Sequence, residues 1–163
     1  MRTRDSLRDW RKRQGFALRF FVGFANGEPK RGASPAHRDL LRQYLDAWLQ
    51  AGRDFQRWRR EQPTLAKQFD AVCRSSRCGY VVVSASAPRG RGDLVHAPVP
   101  ARRLRDPEET ARWFAAWDFR SVLENPLRED VNKCLRCARW YVNTSGHRNK
   151  VYCSGACARP HTA

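Results

Sequence analysis

Four cysteines stand in the last thirty residues of the chain, Cys134, Cys137, Cys153 and Cys157, with the spacing C-x2-C-x15-C-x3-C. Each short gap lets a pair of thiolates grip one edge of a metal ion, and the long gap lets the chain return to complete a tetrahedron, the arrangement of a structural zinc site. Four unrelated cytosolic thiols are the alternative, and the paired regularity argues against it. A zinc shell filled by four sulfurs keeps no position for water, so it does no Lewis-acid chemistry and holds a small unit together instead. Thirty residues bury too little apolar surface to fold alone, so metal is expected to supply most of the segment's folding free energy, on the order of 10 kcal/mol. His147 and His161 are spare donors that a complete shell leaves to solvent or phosphate.

Charge indicates what such a unit is for. The chain carries a formal charge of +16, and from Val131 to the end there are six basic residues, Lys133, Arg136, Arg139, Arg148, Lys150 and Arg159, and no acidic one. A zinc with four thiolates carries about −2, so the unit stays basic when loaded. Arg136, Arg139, Arg148, Lys150 and Arg159, interleaved with Trp140, Tyr141 and Tyr152, are the candidate nucleic-acid contacts, DNA being the expected partner: guanidinium and ammonium groups meet phosphates while rings stack or insert. A basic surface also serves solubility or docks an acidic protein, which keeps a zinc-stabilised adaptor for a protein such as a topoisomerase or polymerase as the alternative.

Within this segment Trp140-Tyr141 and Val151-Tyr152 are predicted to form two short strands about a turn at Asn143-Thr144-Ser145-Gly146, each ending near a cysteine pair. Trp140 stands three residues after a ligand, a position that more often supports a small metal core than projects from it.

The segment resembles the CGNR-type zinc fingers of bacteria, in which a Cys pair, an aromatic strand, an Arg-bearing turn and an aromatic-Cys-Ser run leading to a last Cys follow in this order. The matching elements are Cys134 and Cys137, Trp140-Tyr141, Ser145 through Lys150, and Tyr152-Cys153-Ser154 ending at Cys157. The signature after the last ligand is degenerate, reading Ala158-Arg159-Pro160 in place of Gly-Asn-Arg. The finger alone is also similar to that of the small zinc proteins that inhibit bacterial DNA gyrase. The CGNR resemblance implies a bacterial transcription regulator with its finger on DNA and an ABATE-like domain before it, Phe24-Ala25-Asn26 after Leu18 to Val22 matching that domain's opening strand and Leu45 through Leu49 its helix.

The elements that must position the finger begin with a charged arm over the first fourteen residues. GFALRFFVGFANG then reads as a strand ending in an Asn26-Gly27 turn; Arg19 interrupts the apolar run, so it is not taken for a signal peptide, and the protein is expected to be soluble, cytoplasmic and without a membrane partner. Ser34 caps a helix that has Pro35 first and carries Leu40, Leu41, Tyr44, Leu45, Trp48 and Leu49 at 3-4 spacing up to Gly52. Further helices are expected through Phe55 and Trp58, whose Arg57, Arg59 and Arg60 read as a solvated face, and after Pro63 through Leu65, Phe69 and Val72. Gly79 to Val83 and Leu94 to Val99 read as strands joined by a mobile tip at Arg89-Gly90-Arg91-Gly92. Asp106, Pro107 and Glu109 then open a helix carrying Trp113, Phe114 and Trp117.

The expected fold class is α+β: a helix-rich, ABATE-like domain with a few strands over residues 1-128, and a small treble-clef or ribbon-like zinc finger over 129-163. Cys73 and Cys78 read as buried free thiols in preference to a second metal site. No nucleophile elbow, phosphate-binding glycine loop or His-Glu-x-x-His motif is present, so no enzyme is expected.

Overall fold

The computed structural model describes residues 15–16, 18–30, 32–83, 93–100, 103–145 and 149–159, with the side chains of 77–99 outside the description. The N-terminal arm, the Arg89-Gly90-Arg91-Gly92 tip, His147, Arg148, Pro160 and His161 lie outside the described residues, as does the Cys78 side chain.

Residues 18–25 form helix α1, not the strand expected for this run. A stretch that is apolar at every position but Arg19 does not distinguish the two periods, and here burial decides: Leu18, Val22 and Ala25 recur at helical spacing on one side and are all buried, while Phe20 is half exposed. The Asn26-Gly27 pair does reverse the chain, but as a helix C-cap and not as a hairpin turn. Glu28 N–H bonds to the Gly23 carbonyl at 2.9 Å and Gly27 N–H to the Phe24 carbonyl at 3.0 Å, a Schellman closure that requires the positive φ of 102° at Gly27.

Helix α2 (Pro35–Gln50) starts where predicted, with Ser34 Oγ accepting the His37 N–H and proline at the first turn. It ends in a second Schellman closure: Arg53 N–H reaches the Trp48 carbonyl at 2.9 Å and Gly52, at φ 66°, donates to Leu49 at 2.9 Å. Helices α3 (Phe55–Glu61) and α4 (Pro63–Ser75) follow, with Asp54 capping α3 through the N–H groups of Gln56 and Arg57. The arginines of α3 are the solvated face expected, Arg57 pairing with Glu61 at 2.7 Å and Arg59 with Asp70 at 2.5 Å. Strands β1 (Ser76–Val83) and β2 (Asp93–Pro100) form an antiparallel ribbon with Ser76 opposite Pro100.

Helix α5 (Pro107–Glu124), capped by Asp106, packs chiefly against α2. Tyr44 stacks on Phe119 with centroids 5.1 Å apart, and Trp58 and Phe69 close around the pair. Trp113 and Trp117 lie at a different edge, both indoles donating to Ser76 Oγ at 3.0 and 2.9 Å where the ribbon begins. A short 3-10 turn (Arg128–Asp130) leads into β3 (Val131–Lys133), which pairs antiparallel with β4 (Trp140–Val142), and a final turn of helix, α6 (Gly155–Ala158), ends the described chain. The fold is thus α+β, helix-rich with short strands, and compatible with a C-terminal zinc finger. The buried cluster is continuous: Val131 and Trp140 belong to the same core as Leu18, Leu45 and Phe119.

Candidate metal centre

The sequence after β3 cannot continue as a strand, because Leu135 to Cys137 turn the chain back on itself. Ala138 N–H bonds to the Cys134 carbonyl at 3.0 Å and Cys134 N–H to the Arg139 carbonyl at 2.9 Å, closing a tight knuckle between β3 and β4. Ala138 takes the left-handed φ of 54° that this reversal needs, at a cost that glycine would avoid. Cys134 is buried at the root of the knuckle and Cys137 is exposed at its far side.

The second pair arrives with α6. Ser154 caps this turn, its Oγ accepting the Cys157 N–H at 3.3 Å, so that Cys153 and Cys157 present their sulfurs from the helix entrance and from its first turn. Val151 and Tyr152 are not the predicted strand; β4 takes β3 as its partner, because the knuckle already sets Lys133 opposite Trp140. Among the described residues, the returning chain keeps one backbone–backbone bond to the knuckle, from Leu135 N–H to the Val151 carbonyl at 3.1 Å. Asn143 turns the connection, its Oδ1 accepting from Ser145 N–H at 3.2 Å and from Ser145 Oγ at 2.7 Å.

All four sulfurs lie within 4.8 Å of one another, with Cys137 to Cys153 and Cys153 to Cys157 at 3.6 Å. A metal bonded to sulfur at about 2.3 Å in a tetrahedron has edges of about 3.8 Å, so the cluster fits such an ion with small adjustments. The surroundings differentiate the ligands. Burial pushes the Cys134 thiol up, but the peptide N–H groups of Cys137, Cys153 and Arg136, together with the Cys137 side chain, favour its thiolate and bring it down to about 6. Burial, and then hydrogen bonds with the sulfurs of Cys157, Cys137 and Cys134, raise Cys153 to about 12. Beneath the cluster, Tyr141 has its phenol raised by burial and by the Cys134 and Cys153 charges, and donates to the Lys150 carbonyl at 2.5 Å. Among the described residues, these four cysteines form the one grouping able to hold a metal.

Three side chains from the helical part moor the centre. Asn26 holds both the N–H and the carbonyl of Trp140, at 2.8 and 2.7 Å. Arg53 donates to the Val131 carbonyl at 3.1 Å and to Asn132 Oδ1 at 2.5 Å. Asp46 pairs with Lys133 at 2.6 Å. Asn26 and Arg53 sit at the two Schellman closures, so the C-termini of α1 and α2 are what place the finger. Sequence reasoning missed both; an Asn-Gly pair and a Gly-Arg pair after apolar runs were the available signals.

The basic residues separate into two kinds. Arg136 turns back into the finger, Nη1 donating to the carbonyls of Ala156 at 2.9 Å, Cys157 at 3.4 Å and Arg159 at 2.7 Å, which ties the knuckle to the end of α6. Arg139 and Arg159 are exposed, and Lys150 is half-buried with Nζ 5.8 Å from the Tyr141 ring centre. Trp140 is 4% exposed and packs in the core, as its place near the ligand suggested. Cys73 is a half-buried free thiol raised chiefly by its burial. Comparison of the chain with family models, with curated proteins and with solved structures finds no match. The functional reading therefore rests on the geometry and on the finger's own sequence. No helix among the described residues is long and apolar enough to cross a membrane.

Proposed function

We propose that the chain is a zinc-finger DNA-binding protein acting as a bacterial transcription regulator, with zinc held by Cys134, Cys137, Cys153 and Cys157. Zinc suits the site because four thiolates whose sulfurs all lie within 4.8 Å of one another select a soft, geometrically undemanding ion. With its shell closed, the ion anchors structure and performs no catalysis, which supports a non-enzymatic role. The observation that carries the reading is a division of faces: Trp140 and Cys134 point into the molecule, whereas Arg139 and Arg159 stay exposed on a segment without a single acidic residue. The resemblance to CGNR-type fingers supports the same reading. Titration of random duplex DNA with the zinc-loaded protein across a salt series tests it: affinity should fall steeply and linearly on a log-log scale. Binding that does not depend on salt would reject it.

One observation favours a second reading, an adaptor for a protein partner. Leu135 is 74% exposed and Val151, its hydrogen-bonded neighbour, 43%, so the knuckle carries an apolar tip beside its arginines. That tip suits a protein surface better than a phosphate backbone.

A further inference from the structure

Away from the metal centre, a cleft of about 510 Å³ opens between the ends of α2, α3, α4 and α5. Its size is that of a small-molecule site. Two kinds of chemistry meet in it. Trp48, Phe55 and Phe69 contribute aromatic surface, and Phe55 and Phe69 meet edge to face at 5.9 Å, so the inner wall suits a flat apolar body. Around that wall stand four guanidiniums, Arg53, Arg59, Arg120 and Arg128, against two carboxylates, Asp70 and Glu124. Asp70 is taken by Arg59 at 2.5 Å and Glu124 by Arg120 at 2.6 Å, while Arg128 pairs through Nε with Glu129 at 3.3 Å, a residue outside the cleft lining. Arg53 has no ion pair among the described residues, so the lining keeps a positive excess centred on Arg53. Arg53 Nε is buried and has no hydrogen-bond partner among the described residues. A buried, unmatched charged donor in a cleft costs stability unless something arrives to accept from it.

We infer that this cleft binds a small aromatic carboxylate, its ring against Phe55 and Phe69 and its carboxylate drawn to Arg53 and Arg128. A planar carboxylate is the shape a guanidinium fork accepts with two parallel bonds. The site is also joined to the finger. Arg53 already holds Val131 and Asn132 through its Nη2, so a ligand that fixes this guanidinium fixes β3, the strand that leads directly into Cys134. The inference goes beyond the DNA-binding reading and does not depend on it, since every measurement below is made without nucleic acid.

The probe is 2-naphthoate, titrated calorimetrically into the zinc-loaded full chain, with 2-naphthalenemethanol as the uncharged analogue. One naphthoate should bind per chain, and the alcohol should bind at least about tenfold more weakly, the difference expected of one charge-assisted pair. Arg128→Ala, at a half-exposed residue, should weaken naphthoate about tenfold. Leu123→Trp, which fills the cleft, should abolish binding. Saturating naphthoate should slow amide exchange at Val131 to Lys133. Absence of naphthoate binding, equal affinity for the alcohol, or unchanged affinity in Arg128→Ala would overturn the site. Binding without any change in exchange at β3 would overturn its link to the finger.

Discussion

The Asn26 carboxamide and the Trp140 peptide form a closed pair, the side chain accepting the Trp140 N–H at 2.8 Å and donating to its carbonyl at 2.7 Å. A residue at the end of α1 thereby acts as a one-residue strand along β4, 114 positions away in sequence. Asn26→Ala leaves two backbone groups without partners, so we expect a loss of about 2–3 kcal/mol in denaturant unfolding. Trp140→Ala should cost more, about 3–5 kcal/mol, because it empties a core position. If Asn26→Ala unfolds like wild type, the pair does not anchor the finger.

Zinc uptake should release protons, and its affinity should rise with pH. Metal and proton compete for the same sulfurs. Cys134, lowered to about 6, is largely thiolate at neutral pH, whereas Cys153, raised to about 12, keeps its proton until metal displaces it. As pH falls through about 6, Cys134 of the metal-free protein takes up a proton as well, so the apparent zinc affinity should fall more steeply with pH below that point. Calorimetric titration of apo-protein in buffers of differing ionisation enthalpy counts the protons. One zinc per chain is expected, and Cys153→Ser should release it; a metal-free wild type with a protease-resistant finger would contradict the assignment.

Ala138 occupies the left-handed region at φ 54°. Glycine there removes the steric penalty of roughly 1–2 kcal/mol but adds freedom to the unfolded chain, so Ala138→Gly should gain about 0.5–1 kcal/mol. The readout is zinc transfer to a chelator, which should slow about two- to fivefold, on the order of that energy. Ala138→Val should speed it.

The four-cysteine cluster was legible because the paired spacing brings the sulfurs together, and α2 and α5 were legible because Ser34-Pro35 and Asp106-Pro107 mark their starts. The first helix was not: residues 18–25 carry one polar side chain, Arg19, too few to reveal a period, and Asn26-Gly27 reads equally as a hairpin turn and as a helix cap. The partner of β4 was missed because Val131 to Lys133 carry no strand signal of their own; the knuckle folds them against Trp140. Sequence shows the charge of Arg136 but not that its Nη1 donates to three carbonyls at the end of α6, a structural role beside the expected phosphate contact.

Tyr44 is fully buried, and its Oη has no hydrogen-bond partner among the described residues. Burial is also the main reason its ionisation is pushed well above the ordinary tyrosine range. Removing the hydroxyl keeps the stacking on Phe119 and removes an unmet polar atom, so Tyr44→Phe should raise stability by about 1 kcal/mol. Thermal unfolding tests this, and a lowered midpoint would mean that the hydroxyl has a partner such as an internal water.

The two kinds of finger arginine predict two kinds of variant. Arg139 and Arg159 are exposed, and their side chains make no structural bond among the described residues. Arg139→Ala and Arg159→Ala should therefore leave zinc bound while each lowers the salt slope of DNA affinity by about 0.9 for every phosphate it no longer neutralises. Arg148→Ala with Lys150→Ala should weaken binding to all duplex sequences alike, since phosphate contacts carry no base information. Arg136→Ala should behave differently: three carbonyls at the end of α6 lose their donor, so zinc should leave faster, and DNA affinity should fall through loss of the finger more than through loss of one charge. Parallel zinc-release and salt-titration curves separate these outcomes. Should Arg139→Ala, Arg159→Ala and the Arg148, Lys150 double variant all keep the wild-type slope with zinc in place, the finger is not the DNA-binding surface, and the apolar tip at Leu135 and Val151 makes the adaptor reading the stronger one.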